Sequence, residues 1–175
     1  MEQIVVGVAD CRTGNAAGQV LATYALGSCI GLAVHDPSAK VGGLLHFMLP
    51  DSQIDPARAR ENPYMFADTG VPLLFERVRA QGAEARRLVV RAAGGASIMD
   101  PKGVFDIGKR NYLAMRKLLW KAGVMLRAEA CGGNQSRTVR LEIDSGRFWL
   151  QQGGTKMELT DSAPRKGAPV WPTGS

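Results

Sequence analysis

The stretch "CIGLAVHDPSAKVGGLLHFML", residues 29–49, holds two apolar runs separated by Asp36-Pro37-Ser38. Proline presets φ for a turn, and Asp and Ser side chains bond their own neighbouring backbone, so this punctuation predicts a reversal of the chain. The two runs are then the arms of a β-hairpin, one starting at Cys29 and the other near Val41. Counted outward from the turn, Cys29 lies about seven residues back and His46 about eight residues on, which sets them across from each other to within one register step.

Other segments share this strand-like composition: "QIVVGVA", "QVLATYAL", "RRLVVRAAG", "VMLRAEAC", "TVRLEID" and "RFWLQQ". Ser145-Gly146, between the last two, predicts another tight hairpin. Two segments keep helical spacing instead. "DTGVPLLFERVRAQGA" has Asp68 or Thr69 as a cap, Pro72 in its first turn and Gly82 as a stop, with Val71, Leu74, Phe75 and Val78 on one face. "DIGKRNYLAMRKLLWKAG" runs from Asp106 to Gly123, with Ile107, Met115, Leu118, Leu119 and Ala122 facing inward. Its opposite face carries five Lys or Arg residues around Leu113 and Trp120. Many strands joined by short turns, with two main helices, predict an α+β fold: an α/β sandwich with a mostly antiparallel or mixed sheet. Residues 1–152 form the expected domain. Residues 153–175, rich in Gly, Pro, Ser and charge with no periodic apolar face, are expected to be a flexible tail in which Trp171 is a loose end.

Composition narrows the function. No apolar run approaches the roughly 18 residues of a membrane span, so no membrane insertion is expected. The start, "MEQIVVGVADCRTG", opens on an acidic residue and has only a short, glycine-interrupted apolar run, unlike a secretory signal. A cytoplasmic location is the expectation. Three cysteines, at 11, 29 and 131, form no disulfide framework, and the absence of any CxxC or HxxxH pair argues against a metal site. The net charge of +6 suits acidic partners. With no aromatic-interleaved basic stripe, no nucleic-acid partner is expected.

Cys29 follows Gly27-Ser28, a pair suited to a sharp turn that exposes a thiol and presents backbone N–H groups to an oxyanion. Gly27 and Ser28 are therefore candidate substrate-binding residues. A thiol becomes a useful nucleophile beside a base, and His46 is the candidate. The alternative is a buried, inert cysteine and a hydrogen-bonded core histidine. Thr23, six residues before Cys29, is a candidate to orient the far nitrogen of His46; the alternative is a β-branched residue facing a strand neighbour. Cys131, before Gly132-Gly133, ranks second among the thiols, and His35 reads as an exposed loop residue.

Together these stretches resemble the CheD family, the chemoreceptor glutamine deamidases of bacterial and archaeal chemotaxis. The resemblance spans roughly residues 4–150. It rests on "LATYALGSCIGLAVHDPSAKVGGLLHFMLP", "RAAGGASIM", "IGKRNYLAMRKLL" and "GGNQSRTVRLEIDSGRFWL", in that order. It implies that Cys29 is the nucleophile, His46 the base and Thr23 the orienting residue, and that the fold is related to bacterial toxins that deamidate host GTPases. It further implies hydrolysis of receptor Gln to Glu through a cysteine thioester, with no cofactor. The implied partners are the cytoplasmic helices of methyl-accepting chemoreceptors and a CheC-type phosphatase; an adaptor that docks on these with little catalysis is the alternative. One departure is Ser136, where the family commonly has glycine before the arginine of its closing motif; a positive φ there would strain serine by about 1 kcal/mol.

Overall fold

The hairpin read from residues 29–49 is formed by β4 (Ile30–Asp36) and β5 (Val41–Phe47), and it is the centre of the molecule. The computed structural model describes residues 1–98, 100 and 102–161. Every residue of both arms is buried. A strand covered on both faces needs no polar alternation, which is why these runs are continuously apolar.

The covering layers follow from the topology. One sheet has the order β2 (Asp10–Gly14), β5, β4, β6 (Val89–Gly94), β7 (Leu126–Cys131). The other runs β1 (Glu2–Val5), β3 (Gln19–Leu26), β8 (Arg137–Glu142), β9 (Phe148–Gln152), β10 (Thr155–Glu158). Only β1 with β3 and β6 with β7 pair in parallel, so both sheets are mixed. Leu21, Leu26, Ala33, Leu44, Val139, Leu141 and Phe148 fill the space between the sheets. On the far side of the β4–β5 sheet, Leu32, Leu45 and Phe47 meet Val71, Leu74 and Val78 of α2 (Ala67–Ala80) and Met115 and Leu119 of α3 (Ile107–Lys121). A short α1 (Pro56–Glu61) precedes them. The architecture is α+β, a sandwich of two sheets with a helical layer on one.

Several local expectations change. The turn comprises residues 37–40, because Asp36 still pairs with Val41. Asp36 belongs to the strand since its buried carboxylate accepts from the backbone of Ser38, Ala39 and Glu84 and from Arg87. Burial alone would raise its pKa, but Arg87 and those N–H groups pull it well below the usual carboxylate range. His35 is buried, not exposed: its Nε2 lies 2.8 Å from the carbonyl of Ile143 on the facing sheet. Helix α2 starts after Phe66, because Asp68 accepts from Ser52 and Thr69 donates to the Pro63 carbonyl, so neither caps. Pro72 consequently stands inside the helix.

On α3, Ala122 is exposed, whereas the polar Asn111 and Tyr112 are buried. Leu113 and Trp120 do face outward, Trp120 at 81% exposure. Strand β2 was not expected; it is short, half polar and at a sheet edge, so no alternation announces it. Residues 153–158, read as the start of the tail, turn at Gly153-Gly154 and return as β10, with Lys156 over the Trp149 ring. An edge strand needs only one pairing partner and no apolar face, so composition did not mark it. Trp171 lies outside the described residues. Ser136 is not among the non-glycine residues with positive φ, so the closing loop carries no strain there.

Candidate active site

The chain leaves β3 in one sheet and enters β4 in the other, and the crossing is residues 27–29. A β-bulge between Thr23 and Leu26, with Ala25 left-handed at φ 55°, turns the strand toward the crossing. All three carbonyls of the crossing are held. Gly27 O accepts from Ala96 N (2.8 Å), Ser28 O from Asn111 Nδ2 (2.9 Å) and Cys29 O from Gly95 N (2.9 Å). In a trans peptide the N–H points opposite to the C=O. Holding the Gly27 and Ser28 carbonyls against the protein therefore aims the N–H groups of Ser28 and Cys29 the other way; the Ser28 N–H has no backbone partner among the described residues, and the Cys29 N–H is directed at its own thiol. Gly94 is required for this: at φ 117°, a Cβ there would lie 2.1 Å from the Cys29 carbonyl oxygen.

Cys29 lines a cleft of about 520 Å³ together with Gly27, Ser28, Ala96, Asp100 and Phe105. Asp100 accepts from the backbone N–H groups of Val104, Phe105 and Asp106, which shapes the loop carrying the exposed Val104 and Phe105 beside the cleft. Burial pushes the Cys29 thiol above its ordinary value, and its own backbone N–H opposes that rise. Cys11 is fully enclosed, and burial pushes it to about 11. Burial also raises Cys131, with Glu129 adding to the rise.

His46 pairs with Gly31, so its relation to Cys29 is diagonal across the hairpin, two residues from direct opposition. The four-residue turn, longer than expected, accounts for the offset. Diagonal neighbours on one face, about 7–8 Å apart at Cα, remain within reach of long side chains. Gly31 shares this face: a Cβ there would lie 3.4 Å from the Thr23 methyl and 3.0 Å from Leu26. Its missing side chain lets the facing sheet bring Thr23 against His46.

That contact fixes the imidazole. Thr23 Oγ1 lies 2.7 Å from the Val6 carbonyl and 2.7 Å from His46 Nδ1. A carbonyl only accepts, so the single hydroxyl proton goes to Val6, and Nδ1 must be the donor to Thr23. His46 is thus the Nδ1–H tautomer, and Nε2 holds a free lone pair. Nε2 is buried with no hydrogen-bond partner among the described residues. Burial lowers the imidazole pKa to about 4, so near neutral pH the ring is an uncharged base, and the Cys29 thiol, raised by burial, is uncharged as well.

Sequence reasoning singled out Thr23, Cys29 and His46; the fold joins Thr23 directly to His46 and sets Cys29 diagonally across the hairpin from it. It missed Val6, whose contribution is a backbone carbonyl, and the 94–96 backbone, for which "AGGA" was the available signal. It also missed Asn111 and the buried Arg137, which donates to the carbonyls of Gly94 and Gly132 and to Gln152. Among the described residues, no three His, Cys, Asp or Glu side chains cluster as a metal ion would require. None of their helices is long and apolar enough to cross a membrane.

The family model described as "CheD chemotactic sensory transduction" matches residues 48–152. A protein of Solibacter usitatus (strain Ellin6076) named "Probable chemoreceptor glutamine deamidase CheD" is 70% identical over 167 residues, covering 95% of this chain and 99% of its own. "Probable chemoreceptor glutamine deamidase CheD 1" of Syntrophus aciditrophicus (strain SB) is 48% identical, over 88% of this chain and 96% of its own. "Probable chemoreceptor glutamine deamidase CheD 2" of Anaeromyxobacter dehalogenans (strain 2CP-C) is 50% identical, over 87% and 96%.

Proposed function

The chain belongs to the CheD family, and on that premise we propose that it is a chemoreceptor glutamine deamidase with Cys29 as nucleophile, His46 as base and Thr23 as its orienting partner. The observation that carries this reading is the free, buried Nε2 of His46, held in the accepting tautomer by Thr23 of the facing sheet, with Cys29 packed against the core between the same two sheets.

Attack begins when the Cys29 S–H proton passes to His46 Nε2 as sulfur bonds to the side-chain amide carbon of a receptor glutamine. The carbonyl oxygen takes the negative charge, and the N–H groups of Ser28 and Cys29 stabilise it. As the C–N bond breaks, the His46 proton goes to the departing nitrogen and ammonia leaves a thioester. Neutral His46 then takes a proton from water, hydroxide adds to the thioester carbon, and the C–S bond breaks with the proton returning to sulfur. The product is glutamate. The sequence uses only the chain's own groups and one water, with no cofactor.

The substrate is the cytoplasmic helical region of a chemoreceptor, which places the enzyme in the cytoplasm, where its three free thiols remain reduced. A CheC-type phosphatase is the regulatory partner that the family resemblance implies. Each conversion adds one negative charge to the receptor bundle. The test is incubation with receptor cytoplasmic fragments and site-by-site mapping of Gln-to-Glu conversion: specific conversion supports the reading, and bound but unconverted receptor overturns it.

A further inference from the structure

We infer that Asn111 is a positioning residue of this site: its one amide nitrogen ties the nucleophile loop to the strand carrying the base. Asn111 is completely buried on α3. Nδ2 donates to Ser28 O at 2.9 Å, in the loop immediately before Cys29, and to Met48 O at 2.8 Å, two residues past His46. Both protons of the NH₂ group are therefore used, one on each half of the site. Apart from this amide, the three loop carbonyls are held by the backbone of residues 95 and 96, which reaches only the nucleophile side.

The helix is locked in place to do this. Gly108, one turn earlier, packs so closely that a Cβ would lie 2.5 Å from the Gly95 carbonyl oxygen and 2.7 Å from that of Ala96. Asn111 thus projects from a helix already seated on the same 95–96 segment that holds Gly27 and Cys29. Within "IGKRN", the glycine permits the approach and the asparagine three residues on uses it. Replacing the amide frees the Ser28 carbonyl, and with it the direction of the Cys29 N–H in the same peptide.

For its turnover arm this inference rests on the deamidase reading, so the experiment carries a second arm that does not. Parent, Asn111→Ala and Met115→Ala are compared; Met115 is fully buried one turn further along α3, in the helical layer. The first arm measures kcat and KM for ammonia release from a receptor fragment. The second measures the pH midpoint of Cys29 alkylation, which loop accessibility alone does not move. Among the described residues lining the cleft, Asp100 carries a charged side chain, and its carboxylate is turned to the N–H groups of Val104, Phe105 and Asp106. Asn111→Ala should lower kcat about 100-fold with KM within about twofold, the loss expected of a reacting group displaced by about 1 Å. Its midpoint should rise above the parent's, because the Cys29 N–H that opposes the thiol's rise loses its fixed direction. Met115→Ala should lower Tm yet keep the parent's kcat and midpoint. Asn111→Ser, which retains one donor, should fall between parent and alanine, and it substitutes for alanine if that variant does not fold. A parent-like midpoint and kcat in Asn111→Ala, or equal losses in Met115→Ala, would overturn the inference. A parent that releases no ammonia defeats the deamidase reading instead, and the midpoints alone then decide the role of Asn111.

Discussion

Thr23 Oγ1 accepts from His46 Nδ1 at 2.7 Å while donating to the Val6 carbonyl at the same distance, which leaves His46 one tautomer. Three segments contribute to that contact: Val6, the residue after β1, supplies the carbonyl, β3 the hydroxyl and β5 the ring. The sheet carrying the hydroxyl therefore sets the tautomer of a base on the other sheet.

Thr23→Val keeps the shape and removes both hydrogen bonds. It should lower kcat about 100-fold, a large part of what an aligned general base supplies. It should also cost about 1–3 kcal/mol, because the Nδ1–H and the Val6 carbonyl are left buried and unpaired. Thr23→Ser should keep most of the activity. Steady-state ammonia release and urea denaturation measure the two effects, and full activity in the valine variant would remove Thr23 from the mechanism.

The three thiols should separate under alkylation. Cys29 lines the cleft, whereas Cys11 is enclosed and pushed up to about 11. Site-resolved labelling of the folded protein near neutral pH should modify Cys29 first. Cys131 labelling fastest would contradict the assignment.

Stability should decrease as pH is lowered from neutrality toward 4. An unfolded histidine takes up a proton near pH 6.5, but burial holds His46 unprotonated until about 4. Between those values the unfolded state binds more protons, so acid favours unfolding, by up to roughly 3 kcal/mol for this residue. Burial lowers the His35 pKa as well, in the same direction, despite the opposing Ile143 carbonyl. Urea midpoints measured at intervals across that range should fall steadily with acid. A flat profile would mean that the histidines are hydrated.

Arg87→Ala should destabilise the fold without touching the chemistry. Asp36 is fully buried at the far end of the hairpin, 2.8 Å from the guanidinium. Removing the guanidinium leaves the buried carboxylate held only by the N–H groups of Ser38, Ala39 and Glu84, so stability should fall. The folded fraction should retain the parent's kcat and KM. A loss below about 1 kcal/mol, the range of an exposed ion pair, would contradict this burial.

The hairpin was legible because its apolar arms and Asp-Pro turn are local signals, and Thr23, Cys29 and His46 followed from residue chemistry on those strands. What escaped depends on contacts distant in sequence. His35 looked like a loop residue because its acceptor, the Ile143 carbonyl, lies 108 positions away. Asn111 drew no assignment to either helix face because its partners are backbone oxygens, which leave no mark on composition. Strands β2 and β10 are short edge strands with polar residues, and only pairing reveals them.

The central claim, that Cys29 attacks a receptor glutamine with His46 as its base, is tested most directly by ammonia release from a receptor cytoplasmic fragment, parent against Cys29→Ser. The parent, present in catalytic amount, should release many equivalents, one for each Gln converted to Glu. Cys29→Ser should fold and bind the fragment yet release none, since a serine hydroxyl is barely ionised and unmatched to this base. Ammonia from the serine variant at the parent's rate, or none from a parent with receptor bound, would contradict the account.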